Sequence, residues 1–319
     1  MLTRAVSGNE PKEGLLLVGH GSRSERSGEE MNRLGGFVGA ALTGVDVRIG
    51  FLEMTEPPAG SVIDDMVARE ARRITVLPLV LLGAGHAKSD VPAIVLEARR
   101  RHPGLEFNFA GPLGVVKAAV DVLGSAVVEA TGGQLPLLVV SRGTSDPDAN
   151  GDSYKAARLV AEWTRAPIFA VGFSGVTGPT VLESAQTLAR LGYRKLAVSW
   201  WYLCYGLLIE RGRRQLEAWA ADTGVELVDC GYLGPDERLV APIVERYHES
   251  LLGGSAVNCD ACAYRAPWPG LEDRVGQPVG VGHSHLALEH RHHGADHEHA
   301  GGGHPVGDRG HAADRDHEG

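Results

Sequence analysis

The sequence predicts an α/β protein of two tandem doubly wound lobes, each a Rossmann-like parallel sheet covered by helices, with a central cleft between them. Short apolar runs alternate with longer amphipathic segments as far as about residue 252, the pattern of parallel strands and their crossover helices. The series also occurs twice. Val18-Gly19-His20-Gly21-Ser22, Gly50-Phe51-Leu52-Glu53-Met54-Thr55-Glu56-Pro57 and Pro78-Leu79-Val80-Leu81-Leu82-Gly83-Ala84-Gly85-His86 are answered by three later blocks. These are Val140-Ser141-Arg142-Gly143-Thr144, Gly172-Phe173-Ser174-Gly175-Val176-Thr177-Gly178-Pro179 and Ser199-Trp200-Trp201-Tyr202-Leu203-Cys204-Tyr205-Gly206-Leu207. The offset is 122 residues, and 121 in the last block. A repeat this long marks two copies of a whole structural unit rather than a solenoid. At 319 residues and 43% hydrophobic, the chain is large enough to give each copy a core.

In order along the first copy, residues 15–18, 47–51, 74–82 and 106–109 read as strands. Between them 25–42, 62–73 and 91–102 have helical length and apolar spacing. The second copy repeats the set with strands at 135–140, 168–172, 196–202 and 226–230 and helices at 154–164, 181–191 and 207–221. The organisation that follows is a flexible amino terminus (1–13), a catalytic lobe (14–133) and a catalytically silent duplicate (134–252), the lobes meeting near 131–135. Beyond them lie an extension (253–282) and a disordered tail (283–319).

Ligands of open parallel sheets bind beyond the carboxyl ends of the strands. His20, Glu53 and His86 each follow a predicted strand, so the fold delivers them to one rim. The equivalent positions of the second copy hold Arg142, Gly175 and Leu207. A packing role would survive duplication, whereas these residues do not, so they mark a site. Two imidazoles and a carboxylate suit a first-row divalent cation or proton transfer, and histidine is neutral often enough near pH 7 to do either. A hydrogen-bonded structural histidine is the alternative for either imidazole taken alone.

The bulk composition excludes several classes. A net charge of −9 opposes nucleic-acid binding. No stretch reaches the roughly 18 apolar residues of a membrane span, and residues 1–14 lack the apolar core of an export signal, so a cytoplasmic protein is expected. Four cysteines do not read as a disulfide framework. No phosphate-binding Gly-x-x-x-x-Gly-Lys-Ser/Thr loop occurs, in keeping with chemistry that needs no ATP. The tail holds ten of the 14 histidines and reads as a store of metal ions rather than a catalytic element, because a flexible chain cannot pre-organise geometry.

Leu15-Leu16-Leu17-Val18-Gly19-His20-Gly21-Ser22-Arg23, Phe51-Leu52-Glu53 with Glu56-Pro57, and Pro78-Leu79 leading to Gly85-His86 resemble the sirohydrochlorin chelatases, the class II tetrapyrrole chelatases of cobalamin and siroheme biosynthesis. The two-copy form with Ser141-Arg142-Gly143-Thr144-Ser145-Asp146-Pro147-Asp148-Ala149-Asn150 is similar to the long, cobalt-inserting branch, over about residues 14–265. Many members carry two adjacent histidines where this chain has His86-Ala87. The resemblance implies a lyase that inserts Co2+ or Fe2+ into sirohydrochlorin, with His20, His86 and Glu53 binding the metal and taking pyrrole protons. The substrate's carboxylates call for arginine clamps, Arg142 first, with Ser22, Arg23 and Lys88 as further candidates. Arg23, Arg26 and Lys88 read equally well as solvated surface charges. Tyr205 is a stacking candidate from the second copy, while Trp200 and Tyr202 fit core packing at least as well.

Cys259 and Cys262 form a Cys-x-x-Cys pair. Long-branch chelatases show such a motif with an iron-sulfur cluster, which needs four ligands that a symmetric homodimer could supply here; a redox dithiol or a dispensable pair are the alternatives. Two other functions stay open: a metal-storage protein or metallochaperone, and a ferrochelatase for a less carboxylated porphyrin.

Overall fold

The structure, a computed structural model, describes residues 12–254 and 272–275. Its first half runs β1 (Glu13–Gly19), α1 (Glu25–Ala41), β2 (Val45–Phe51), α2 (Ala59–Ala68), β3 (Arg73–Pro78), a π-helical turn (His86–Asp90), α3 (Val91–Arg101), β4 (Glu106–Phe109) and α4 (Lys117–Thr131). The second half follows with β5 (Leu137–Ser141), α5 (Pro147–Thr164), β6 (Phe169–Phe173), α6 (Val181–Arg190), β7 (Lys195–Trp200), α7 (Leu207–Thr223), β8 (Glu226–Tyr232) and α8 (Val240–Leu251).

Two four-stranded parallel sheets result, ordered β2-β1-β3-β4 and β6-β5-β7-β8, so the predicted duplication is a duplication of topology. The central strands are apolar on both sides because both faces are covered. Leu15 and Leu17 of β1 enter one cluster while Leu16 and Val18 enter another with α2 and α3. In β5, Leu137 and Val139 join the same first cluster, and Leu138 and Val140 pack under α6 and α7. The first cluster is thus common to both lobes.

The common core follows from an exchange of helices. α4, which leaves the first sheet, packs on β7, β8 and α5, and α8, which leaves the second, packs on α1, β3 and β4. Burying each lobe's last helix on its neighbour joins the sheets by apolar contact in addition to the covalent link.

Element bounds shift for local reasons. The third strands end at Pro78 and Trp200, short of the predicted 82 and 202; Leu79 and Trp201 still bond to Val18 and Val140, but the chain then turns away. α2 stops at Ala68 because Glu70 has a left-handed backbone (φ 68°). α5 starts seven residues before the predicted 154, where Asp146 accepts the Asp148 N–H and Pro147 occupies the first turn. α4 and α8 were outside the predicted set. Cys259, Cys262 and the histidine tail lie outside the described residues.

Candidate active site

β1 ends at Gly19 and hands the chain directly to His20. The Glu53 N–H donates to the His20 carbonyl at 3.1 Å and the Leu52 N–H to that of Gly19 at 3.0 Å, so the β2 loop is fixed against the β1 loop. Gly21 makes this approach possible. Its φ is 94°, and a β-carbon there would lie 1.6 Å from the Glu53 carbonyl oxygen. The Thr55 hydroxyl completes the join, donating to the Ser22 carbonyl and accepting the Ser22 N–H.

This framework brings the three predicted residues together. His20 Nδ1 is 3.3 Å from Glu53 Oε1, and the His20 and His86 rings stand 4.3 Å apart in an edge-on arrangement with an interplanar angle of 68°. All three side chains are partly buried, at 18–30% exposure. His86 opens the π-helical turn, and its Nδ1 lies 2.5 Å from Asp90 Oδ2. A carboxylate at that distance favours the tautomer with its proton on Nδ1, which makes Nε2 the basic ring nitrogen. Asp90 was missed in the sequence; its signal is the four-residue spacing from His86. Among the described residues, no group of three or more His, Cys, Asp and Glu is spaced to hold a metal ion as it stands. His20, Glu53 and His86 are therefore neighbours in pairs rather than a closed cage.

The second lobe faces this wall with Arg142, at the His20-equivalent place. Burial pushes its guanidinium down from the ordinary arginine value, and the nearby Tyr202 hydroxyl and Glu53 carboxylate act against that. The Tyr202 hydroxyl is hydrogen-bonded to Ser174 Oγ, and burial raises its pKa to about 12, so the phenol is neutral at physiological pH. Tyr202 thus belongs beside Arg142, whereas Trp200 and Trp201 are core residues at 0% and 2% exposure.

The remaining candidates divide. Lys88 is directed into the lobe junction, with Nζ 2.8 Å from Asp146 and 3.1 Å from Asp148. It is therefore no solvated surface charge. Ser22 Oγ accepts the Ser24 N–H at the start of α1, and Arg23 is exposed. Tyr205 donates its N–H to Glu30 at 2.8 Å, and its ring stacks under Arg26 at 4.5 Å. Tyr232 donates to the same Glu30 carboxylate at 2.5 Å and accepts from Arg26 at 2.7 Å. Arg26 and Glu30 are the repeat equivalents of Asp148 and Asp152 at the 122-residue offset. Corresponding helix starts therefore pin the lobes together with different chemistry.

The CbiX family model matches residues 14–130 and again 136–250. A sirohydrochlorin cobaltochelatase of Priestia megaterium is 33% identical over 258 residues, covering 79% of this chain and 84% of the relative. A sirohydrochlorin ferrochelatase of the same organism is 26% identical, covering 79% and 95%. Among solved structures, SirB from Bacillus subtilis with Fe3+ superposes with a TM-score of 0.67 at 24% identity, over 75% of this chain and 95% of that one. The chelatase SirB from Bacillus subtilis subspecies spizizenii in complex with cobalt gives 0.64 at 23%, with the same coverage. At these identities the structural likeness speaks for the fold.

Proposed function

The chain belongs to the CbiX family of sirohydrochlorin chelatases, and from that premise we propose that it inserts Co2+ or Fe2+ into sirohydrochlorin without ATP, using one active site per chain. The observation that carries the site is the convergence of His20, Glu53 and His86 in the first lobe alone.

Insertion replaces two pyrrole N–H protons by one divalent cation, so two protons must leave and the metal must exchange water for ring nitrogens. His86 offers Nε2 to the incoming metal or to a pyrrole proton, its Nδ1–H engaged by Asp90. His20 takes the other role, and Glu53 at 3.3 Å stabilises the imidazolium that forms when His20 accepts a proton. The open arrangement suits a substrate metal that must be released, whereas a full set of protein ligands would retain it. From the second lobe, the Arg142 guanidinium pairs with a substrate carboxylate and the neutral Tyr202 hydroxyl offers a hydrogen bond without adding charge. Tyr205 supports this wall from the junction. Ser22 shapes the β1 loop, and the Lys88 bridge holds the π-helical turn against the second lobe.

Metal insertion followed by absorbance tests the reading directly. His20→Ala and His86→Ala should each cut kcat by roughly a hundredfold or more. Undiminished turnover in the double variant overturns the site.

The cytoplasm is the compartment proposed; among the described residues no helix is long and apolar enough to cross a membrane. A store of metal on the tail and a cluster shared through Cys259 and Cys262 of two chains are separate proposals, in segments outside the described residues. Truncation at residue 282 with metal-binding stoichiometry tests the first. Iron and sulfide content of anaerobically purified protein, with its oligomeric state, tests the second.

A further inference from the structure

The β2 and β6 loops make the same unusual turn. The Thr55 N–H donates to the Glu53 carbonyl at 2.7 Å and the Thr177 N–H to that of Gly175 at 2.8 Å, a three-residue turn whose central residue has positive φ. The central residues are Met54 (φ 58°) and Val176 (φ 66°), repeat equivalents at the 122-residue offset. Neither is glycine or asparagine, the residues that accept this backbone most readily, and for β-branched valine it is a genuine outlier. Both side chains face outward, 55% and 58% exposed. The turn accounts for the backbone, but neither it nor packing within the chain accounts for an apolar side chain presented to solvent at the same place in both copies.

Their neighbours indicate what they meet. Met54 directly follows Glu53, 3.3 Å from His20. Val176 comes two residues after Ser174, whose hydroxyl is bonded to Tyr202 beside Arg142. Each lobe thus carries one exposed apolar residue in the same loop as Glu53 or as Ser174, whose hydroxyl meets Tyr202. The second copy has lost the histidines and the glutamate but keeps this turn, so its role is separate from metal binding and proton transfer.

Resting on the chelatase reading, we propose that Met54 and Val176 are paired apolar lips that contact the tetrapyrrole ring itself and determine how tightly it is held, independently of the metal and of its carboxylates. The ring is the one apolar surface this reaction brings to the rim.

The test uses the full chain with Met54→Asn, Val176→Asn and the double variant, because asparagine accepts the left-handed backbone and removes the apolar surface. Sirohydrochlorin binding is read by fluorescence quenching without metal, and Co2+ insertion by absorbance. Losing partial burial of one such side chain should raise Kd and KM roughly fivefold in each single variant and more in the double, with kcat within about twofold and Tm not lowered. Met54→Leu and Val176→Ile should bind like the parent chain. Unchanged Kd and KM in the double variant overturn the proposal and leave these residues as turn formers. If the parent chain binds sirohydrochlorin but does not metallate it, the chelatase reading fails while the binding comparison still decides the lips; absence of binding overturns both.

Discussion

Lys88 of the first lobe reaches Asp146 of the second, Nζ to Oδ2 at 2.8 Å, with the two side chains 4% and 6% exposed. Asp148 shares the cation at 3.1 Å. Removing the ammonium would leave buried carboxylates at the lobe junction without it. Lys88→Met is expected to destabilise the protein by roughly 3–5 kcal/mol, as breaking one side of a buried ion pair does. Urea unfolding measures this, and a variant of parental stability with a raised KM would return Lys88 to the role of a substrate clamp.

The contact between His86 and Asp90 predicts a different signature. Asp90→Ala leaves the imidazole without the carboxylate that selects its tautomer, and roughly a tenfold to hundredfold loss in kcat is expected, with KM nearly unchanged. Asp90→Asn retains an acceptor oxygen for Nδ1–H and should recover part of that loss. Equal kcat in all three proteins would show that His86 is held by other contacts.

Tyr202 links the second wall to stability at alkaline pH. Its hydroxyl titrates near 12 in the folded protein, chiefly through burial, against about 10 in an unfolded chain. The folded state thus favours the neutral phenol. Its contribution is complete below about pH 10 and is lost as pH rises through about 12. Tyr232 and Tyr247 are raised to about 12 as well, so Tyr202→Phe should flatten the alkaline fall in urea midpoint without abolishing it. A slope unchanged by the substitution would contradict the buried setting.

Asp152 shifts in the opposite pH range. Burial raises its carboxyl, and the neighbouring Asp148 adds to the rise. A carboxyl raised on folding stabilises below its unfolded pKa, and that contribution is lost as pH climbs through the folded value. Asp152→Asn should therefore raise Tm at neutral pH and leave it nearly unchanged at pH 3. A lower Tm at pH 7 would mean that Asp152 is needed as an anion beside Lys88.

What could be read in the sequence was what repeats or alternates. β4 at Glu106–Phe109 coincides with its prediction, since four residues between turn signals leave little choice. The meeting of His20, Glu53 and His86 on one rim was legible because each follows a predicted strand. Asp90 was not, since its role depends on a π-helical turn that no periodicity announces. Nor was the exchange of α4 and α8, because an amphipathic stripe tells that a helix is covered, not by which sheet. Lys88 read as a substrate clamp or a surface charge because its two partners lie 58 and 60 residues away.

The two copies also allow a matched pair of backbone substitutions. Gly21 has φ 94° and would place a β-carbon 1.6 Å from the Glu53 carbonyl oxygen; Gly143 has φ 78° and would place one 2.4 Å from that of Gly175. In both cases the obstacle is backbone, which cannot swing aside. Alanine at either site should cost stability, roughly 1–2 kcal/mol from the left-handed backbone alone and more from the contact. Their effects on catalysis should diverge. Gly21→Ala moves the loop that carries Glu53 away from His20, and displacements of about 1 Å at such a site can cost a hundredfold in rate. Gly143→Ala moves a loop whose corresponding residue is Gly175, so Arg142 is disturbed and KM should rise while kcat is largely kept. Metal-insertion kinetics on the two variants at a temperature where both are folded make the comparison. A parallel collapse of kcat in both would show that the second lobe takes part in the chemistry, and the assignment of one reactive and one silent copy would fall.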